Sequence, residues 1–187
     1  DRTCQIDISV EQPIFSMNIF ELVKHIKRNS KELIIPEKVD INGKEYTVVK
    51  ITGNTEKKEF ESVALPNSLI EIGNVAFYKC EWLKEIKIPN SVKSIGDWAF
   101  SYCTNLQTVI IPDSVKRIGD WAFYGCSSLQ TINIPNSVES IGHEAFADCS
   151  SIKKINIPNS VESIGDWTFY GCSSLQTVII PNSVESI

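Results

Sequence analysis

The chain has 187 residues, of which 42% are hydrophobic and 22% are charged, and its formal net charge is −5. This balance is typical of a globular protein and argues against intrinsic disorder. No apolar run approaches the ~20 residues of a membrane span, and the acidic chain lacks the basic surface typical of nucleic-acid binders, so we expect neither membrane insertion nor a nucleic-acid partner.

Residues 1–32 contain no repeated motif, and we predict that they form an N-terminal cap. The stretch NIFELVKHIKRNS places apolar residues on one helical face and basic residues on the other, which predicts an amphipathic helix over about 18–29. Asn18, with Glu21 three residues later, is typical of a helix N-terminus. Such a helix would cover the apolar end of the repeat array that follows, and binding to a membrane surface is the alternative.

Residues 33–65 predict a first, irregular turn of that array. Ile34-Ile35-Pro36 resembles the end of a strand, and Asn42-Gly43 then separates two alternating stretches, which predicts a type I′ hairpin. The segment 51–59, ITGNTEKKE, is polar where later turns carry a Phe and a Cys. We therefore expect an irregular loop at 51–59.

From residue 66 to residue 187 the sequence repeats regularly, with a step of 23 residues. Proline, glycine, phenylalanine and cysteine all keep this step. The prolines that mark it are Pro66, Pro89, Pro112, Pro135, Pro158 and Pro181. A period of this length indicates a solenoid, in which each coil buries its apolar side against its neighbours.

Within one coil, alternation around Val109 predicts a short strand that ends at Pro112, and stacked coils are expected to pair these strands in parallel. Gly119 is expected to allow a tight bend because it has no Cβ. Two columns should then line the interior. They are Phe77, Phe100, Phe123, Phe146 and Phe169, and Cys80, Cys103, Cys126, Cys149 and Cys172.

The five cysteines in register are expected to be buried free thiols. Identical side chains stacked at the ~4.8 Å spacing of neighbouring strands do not readily reach disulfide geometry. The sequence has no C-x-x-C motif, so a zinc or redox site is not expected. Cys4 lies outside the column, and its pairing with another cysteine in an oxidising compartment is an open alternative.

Neither a catalytic site nor a metal site is expected. His143 occupies a position that aspartate holds in other coils, at Asp97, Asp120 and Asp166, which is typical of a tolerant surface position. One carboxylate per coil is few for calcium, which takes about six or more oxygen ligands. A solvated row that supports the bend is the simpler interpretation, and we predict no enzyme activity and no cofactor.

The consensus L-x-x-[VI]-x-I-P-x-S-[VL]-x-x-I-G-x-x-A-F-x-x-C resembles the BspA-like leucine-rich repeat, over about residues 33–187. The resemblance implies a right-handed leucine-rich-repeat solenoid, with short parallel strands on a concave face and irregular or short helical turns on a convex face. It also implies a secreted or surface-displayed protein of bacteria or protozoa that adheres to host matrix proteins or other cells. The last copy stops after seven residues, from which we expect a longer protein.

Two stripes of residues vary between the copies, and each is a candidate binding surface. The outward strand positions, which leucine-rich repeats present on the concave face, are Glu85, Lys87, Thr108, Ile110, Thr131, Asn133, Lys154, Asn156, Thr177 and Ile179, after Ser62 and Ala64 in the preceding coil. The second stripe is Trp98, Trp121 and Trp167, interrupted at Glu144.

For the first stripe we predict a protein ligand, and the alternative is a solvated sheet without a partner. For the Trp row, the alternatives are a carbohydrate platform or aromatic rings that shield the core of the neighbouring coil. A passive spacer with no ligand is a third possible role for the whole chain. The expected location is extracellular or on the cell surface.

Overall fold

The computed structural model describes residues 14–18, 31–53 and 60–185 of the chain. Over these residues the protein is a solenoid of about five regular coils, in which strands of successive coils pair in parallel. Two sides of each coil are strands, and the third side is a series of turns. The repeat solenoid with short parallel strands, predicted from the 23-residue period, is therefore confirmed.

The first sheet, here called the primary sheet, takes one three-residue strand from each coil. Its strands are β2 (Glu32–Ile34), β5 (Ser62–Ala64), β7 (Glu85–Lys87), β9 (Thr108–Ile110), β11 (Thr131–Asn133), β13 (Lys154–Asn156) and β15 (Thr177–Ile179). The ladder is interrupted between β11 and β13, so that β13 and β15 form a separate pair. The middle residue of each strand is the most buried, as the alternation predicts.

The second sheet, here called the secondary sheet, is built mainly from two-residue strands. Its strands are β1 (Ile14–Asn18), β3 (Lys38–Ile41), β4 (Lys44–Thr52), β6 (Glu71–Ile72), β8 (Ser94–Ile95), β10 (Arg117–Ile118), β12 (Ser140–Ile141) and β14 (Ser163–Ile164). Its ladder runs from β1 to β14 without interruption, and β3 is attached to it through β4. The sequence pattern did not predict this sheet, because two residues are too few to show an alternation.

β3 and β4 form an antiparallel hairpin at the Asn42-Gly43 dipeptide. Both residues have positive φ, 55° and 79°, as a type I′ turn requires. The Gly43 N–H donates a hydrogen bond to Asp40 Oδ1 at 2.9 Å. β4 continues past the hairpin and pairs in parallel with β6, so the hairpin is continuous with the stack.

The N-terminal strand β1 pairs in parallel with β4 and lies where the sequence predicts a cap. The predicted helix over about 18–29 begins at Asn18, the last residue of β1, and the rest of it lies outside the described residues, as does Cys4. The predicted loop over 51–59 begins with the last two residues of β4, and its residues 54–59 also lie outside. The described residues contain no helix. The side of each coil for which irregular or short helical turns are expected therefore consists of turns alone.

Accordingly, no helix within the described residues could cross a membrane.

The core consists of columns in which equivalent residues of successive coils stack. The Phe77, Phe100, Phe123 and Phe146 side chains are fully buried, and Phe169 in the last coil is half-buried. The rings stack within 11° of parallel, with centroid distances of 5.2, 5.2, 5.5 and 6.2 Å along the column. The phenylalanine rings of successive coils thus bury one another, which an isolated coil could not provide.

The glycine column, which consists of Gly73, Gly96, Gly119, Gly142 and Gly165, is required by contact between coils and not by a left-handed backbone. A Cβ on Gly119 would lie 2.5 Å from Asp97 Oδ1 and 2.6 Å from the carbonyl carbon of Gly96, both in the preceding coil. The positive φ of the bend falls two residues later, on Trp98 (59°) and Trp121 (52°). The expected role of Gly119 at the bend is corrected accordingly: it permits close approach of two backbones.

Candidate functional site

The exposed face of the primary sheet carries the predicted ligand-binding residues in two columns. The first residues of the strands form one column, with Glu85, Thr108, Thr131, Lys154 and Thr177. The third residues form the other, with Lys87, Ile110, Asn133, Asn156 and Ile179. All ten side chains are exposed, and the structure brings them together on one surface.

The chemistry of this face changes along the stack. Thr108, Thr131 and Asn133 make its centre uncharged, and Ile110 there is 59% exposed. Lys154 follows beyond the interruption of the ladder. Because no single sign of charge dominates, hydrogen bonding and apolar contact are the interactions that this surface offers.

A charged cluster lies at the N-terminal end of the same face, and the repeat pattern does not predict it. Glu61 accepts hydrogen bonds from Lys31 Nζ at 2.5 Å and from Lys84 Nζ at 2.6 Å. These hydrogen bonds, of which the one from Lys31 contributes most, lower the pKa of Glu61 to about 2. The hydrogen bond between Lys31 and Glu61 also raises the pKa of Lys31. Glu85 and Thr108 line the same cleft. Aligning the residue before each strand would have shown the Lys–Glu–Lys order.

The structure divides the predicted Trp row. Trp98 and Trp121 stack on each other, with ring centroids 4.8 Å apart and planes 19° apart. The edge of Tyr78 meets Trp98 at 6.2 Å, and His143 meets Trp121 edge-on at 5.3 Å. Both indoles are half-buried, so their faces are largely used within the protein, as the shielding alternative expects.

Trp167 is the open member of the row. It is 63% exposed and lies beside Tyr170, itself 58% exposed, with ring centroids 5.2 Å apart. Glu144 occupies the intervening coil, so Trp167 does not continue the stack. Trp82, which lies outside the predicted Trp row, is another exposed indole, at 52%.

The cysteine column is a row of buried free thiols. From the second member onward, each Sγ donates to the carbonyl oxygen of the framework phenylalanine one coil earlier at 3.1 Å. The pairs are Cys103 with Phe77, Cys126 with Phe100, Cys149 with Phe123 and Cys172 with Phe146. Burial raises the pKa of Cys126 to about 12 and that of Cys172 to about 11. Thiols that stay protonated are poor nucleophiles.

The aspartate column caps backbone N–H groups of the next coil. Asp97 Oδ1 accepts a hydrogen bond from the N–H of Asp120 at 3.0 Å, and Asp120 Oδ1 accepts one from the N–H of His143 at 2.9 Å. These carboxylates therefore stabilise the bend. Across the part of the chain that the structure describes, no three His, Cys, Asp or Glu side chains come together closely enough to hold a metal ion.

Comparison with known families finds one match, and it covers most of the repeats. Residues 54–153 and 101–187 match a BspA type leucine rich repeat region, in six copies overall. No curated protein is similar enough in sequence to count as a relative.

Several solved structures of bacterial leucine-rich repeat proteins are similar. A leucine-rich repeat protein of T. pallidum shares 26% identity with a TM-score of 0.66, over 96% of this chain and 68% of its own. One from Bacteroides ovatus shares 26% with a TM-score of 0.61, over 98% and 53%. A leucine rich cell surface protein of Faecalibacterium prausnitzii shares 28% with a TM-score of 0.61, over 94% and 52%. The chain thus spans about half the length of the last two.

Proposed function

The chain belongs to the BspA-type leucine-rich repeat family, and from this premise we propose that it is a non-catalytic protein-binding module displayed outside the cell. Its binding surface is the exposed face of the primary sheet. Leucine-rich repeat proteins are generally non-catalytic and commonly bind other proteins, which supports the proposal at the level of the family. The description of the F. prausnitzii protein as a cell surface protein supports the location.

One observation carries the proposal: the exposed positions of the primary sheet differ in chemistry among the coils, with charged, polar and apolar residues, while the buried middle position keeps to Ile or Val. The middle strand residue is Ile or Val in every coil from β5 onward, as at Val109 and Ile132. Beside these, the exposed third residue is Lys87, Ile110 or Asn133 in successive coils. A rigid backbone that presents different side chains at fixed spacing is suited to recognising one particular protein surface.

The sheet also offers an apolar anchor within a polar surround. Ile110 lies at the centre of the face with Lys87 and Asn133 on either side in its column. An apolar side chain surrounded by hydrogen-bonding groups is the arrangement found at the energetic centre of many protein interfaces. Adhesion to an extracellular-matrix protein is the specific activity that we propose for this surface.

A binding assay with two matched variants tests the proposal. The purified chain is titrated onto a panel of immobilised extracellular-matrix proteins. Ile110→Asp places a charge at the centre of the primary sheet, and Ile70→Asp places the same charge on an equally accessible isoleucine (49% exposed) beside the secondary sheet. We expect Ile110→Asp to weaken binding at least about tenfold while Ile70→Asp binds like wild type. Equal effects of the two variants, or no binding to any matrix protein, would contradict the proposal.

A second candidate function, carbohydrate binding, is favoured by a single observation. Trp167 and Tyr170 present exposed rings in neighbouring positions, and aromatic rings stack on the apolar faces of sugars. Screening on a glycan array separates this candidate from the first. Binding that is lost in Trp167→Ala and kept in Trp82→Ala would favour it. If neither matrix proteins nor glycans bind, a passive spacer is the better description.

A further inference from the structure

A column of charged residues runs along the edge of the secondary sheet. It consists of the residue just before each two-residue strand from β8 to β14, together with the equivalent residue of the last coil: Lys93, Lys116, Glu139, Glu162 and Glu185, all exposed. The equivalent residue before β6 is the uncharged Ile70. Backbone hydrogen bonds join each member to the preceding one, from 2.8 Å between the N–H of Lys116 and the carbonyl of Lys93 to 3.1 Å between Glu185 and Glu162. The charges therefore project from a regular ladder with a pitch of ~4.8 Å. We call this row the charge column.

The order of charges does not suit an isolated chain. The two lysines are neighbours, and the three glutamates are neighbours, so like charges face each other across most of the ladder. Like charges directly opposite on paired strands are destabilising. One favourable contact occurs at the boundary, where Lys116 Nζ lies 2.5 Å from Glu139 Oε1. Within the described residues, Lys93 and Glu162 take part in no ion pair.

When a second copy of the charge column is placed against the first in the reverse direction, opposite charges face each other. A two-fold axis through the midpoint between Lys116 and Glu139 would place Lys93 of one copy opposite Glu162 of the other. It would also place Lys116 opposite Glu139. A two-fold interface uses the same patch on both copies, so a patch whose charge changes sign about its own centre fits this symmetry. We propose that a second copy of this chain docks antiparallel on the charge column and that the protein forms a salt-sensitive dimer.

The surroundings of the charge column allow this approach. The next residues along the chain include Ser94, Ser140 and Ser163, whose short side chains leave the longer charged ones free to project. Arg117 in the same row is held by Asp97, with its Nη2 3.1 Å from Asp97 Oδ1, so it adds little unpaired charge. The primary sheet lies on another side of the coil. Dimerisation therefore leaves the face of the primary sheet open, and the inference is independent of the proposed function.

Sedimentation velocity of the full chain at two ionic strengths gives the first test. At about 20 mM NaCl exposed charges act over ~20 Å, and at about 500 mM they act over less than ~5 Å. We expect a concentration-dependent dimer at low salt and at least about a tenfold weaker association at high salt, since exposed ion pairs are screened. A chain that remains monomeric at low salt over the whole concentration series would overturn the proposal.

Charge-reversal variants give a sharper test. Lys93→Glu/Lys116→Glu makes the charge column wholly acidic, and Glu139→Lys/Glu162→Lys makes it basic apart from Glu185. We expect each variant alone to be monomeric and an equimolar mixture of the two to dimerise. Lys153→Glu/Lys154→Glu reverses two charges on the primary-sheet side and should dimerise like wild type. Circular dichroism establishes that every variant is folded. Association of either column variant alone, at the wild-type level, would exclude the charge column as the interface.

Orientation is tested by zero-length carbodiimide cross-linking, which joins a lysine to a carboxylate in direct contact. Lys93 and Glu162 of one chain are three coils apart, ~14 Å along the ladder, which is beyond the reach of the reagent. A Lys93–Glu162 link in the band of dimer mass therefore reports the antiparallel arrangement. Links confined to Lys116–Glu139 within the monomer band would contradict it.

Discussion

The Cys126 thiol donates a hydrogen bond to the carbonyl oxygen of Phe100, which is 3.1 Å away and belongs to the preceding coil. The bond connects the cysteine column to the phenylalanine column, and it recurs in every coil from Cys103 to Cys172. A thiol is a weak donor, and here it is the second donor to a buried carbonyl that also accepts the Cys103 N–H at 3.1 Å. The columns are thus coupled between coils by polar bonds as well as by apolar contact, and this coupling has a consequence for stability at high pH.

The stability of the protein should fall steeply above about pH 9. In the unfolded chain a thiol loses its proton near pH ~8.5, whereas burial holds the pKa of Cys126 at about 12 in the folded state. Between these values the folded state binds more protons, so the Cys126 thiol removes about 1.4 kcal/mol of unfolding free energy per pH unit. The contribution is fully present below the unfolded pKa and is lost as the pH rises through the window.

Urea unfolding measured from pH 7 to pH 11 checks this prediction. Cys126→Ala removes one titrating thiol, so its unfolding free energy should fall less steeply with pH than that of wild type, by about 1.4 kcal/mol per unit. Lysines and tyrosines titrate equally in both proteins and cancel in the comparison. Parallel curves for the two proteins would show that the thiol ionises equally well when folded.

The phenylalanine column should be most sensitive in its middle. Phe123 is fully buried between Phe100 and Phe146, and replacing a buried phenylalanine by alanine typically costs about 3–5 kcal/mol. Phe169 stacks on one ring only and is half-buried, so Phe169→Ala should cost clearly less. Denaturant unfolding of both variants checks the order. Equal losses would mean that stacking between coils adds nothing to burial within a coil.

The glycine column should not tolerate a side chain. Gly119→Ala would bring its Cβ to 2.5 Å from Asp97 Oδ1 and 2.6 Å from a backbone carbon, and overpacking of this kind typically costs about 1–3 kcal/mol or more. Gly43→Ala serves as control, because its Cβ would meet nothing within 4 Å and only its φ of +79° opposes the change. We expect about 1–2 kcal/mol there. A larger loss for Gly43→Ala, measured by thermal unfolding, would argue that backbone conformation governs glycine usage.

Iodide quenching should separate the tryptophans. Trp82 and Trp167 are 52% and 63% exposed, whereas Trp98 and Trp121 stack on each other and are half-buried. We expect Trp82→Phe/Trp167→Phe to remove most of the quenchable emission and Trp98→Phe/Trp121→Phe to leave it in place. The opposite result would mean that the stacked pair opens in solution, which would restore it as a platform for sugars.

The Glu61 carboxylate should titrate near pH 2. Its hydrogen bonds to Lys31 and Lys84 favour the charged form and lower its pKa to about 2. Lys84→Ala removes one of these bonds and should raise the pKa towards the ordinary glutamate value of ~4.3. A pH titration of the side-chain carboxyl resonance by NMR measures both values. An unchanged Glu61 pKa in the variant would show that Lys84 does not hold the carboxylate in solution.

Val109 and Phe123 could be assigned to the core from the sequence, because the two-residue alternation and the 23-residue step both place them inside. Other features left no such trace. Arg117–Ile118 is too short to show a strand pattern, so the secondary sheet was not predicted. No glycine or asparagine marks the left-handed position at Trp98, which has a φ of 59°. The residues that predict the fold recur in every coil, so their pattern is easy to recognise. The residues that make one coil differ from the next occur only once and show no pattern.

The candidate surface shows the same division. Ile110 and its column neighbours could be placed on an exposed face, because strand geometry fixes the direction of alternate side chains. The 23-residue step alone does not reveal the Lys31–Glu61–Lys84 cluster, because the irregular first coil separates Lys31 from Glu61 by 30 residues. Its members line up only when the strands themselves are aligned. The interruption between β11 and β13 has no sequence signal either, since both strands match the consensus.

The glycine column determines how closely successive coils approach each other. Beside it the secondary ladder is continuous, while the primary ladder parts between β11 and β13 and the phenylalanine rings spread from 5.2 to 6.2 Å towards the last coils. The close backbone contacts at Gly96, Gly119 and Gly142 therefore set the separation of the coils beside the secondary sheet, where the ladder is unbroken. The primary sheet has no strand pairing between β11 and β13, so at that step the separation of the coils depends on the glycine column and on side-chain packing.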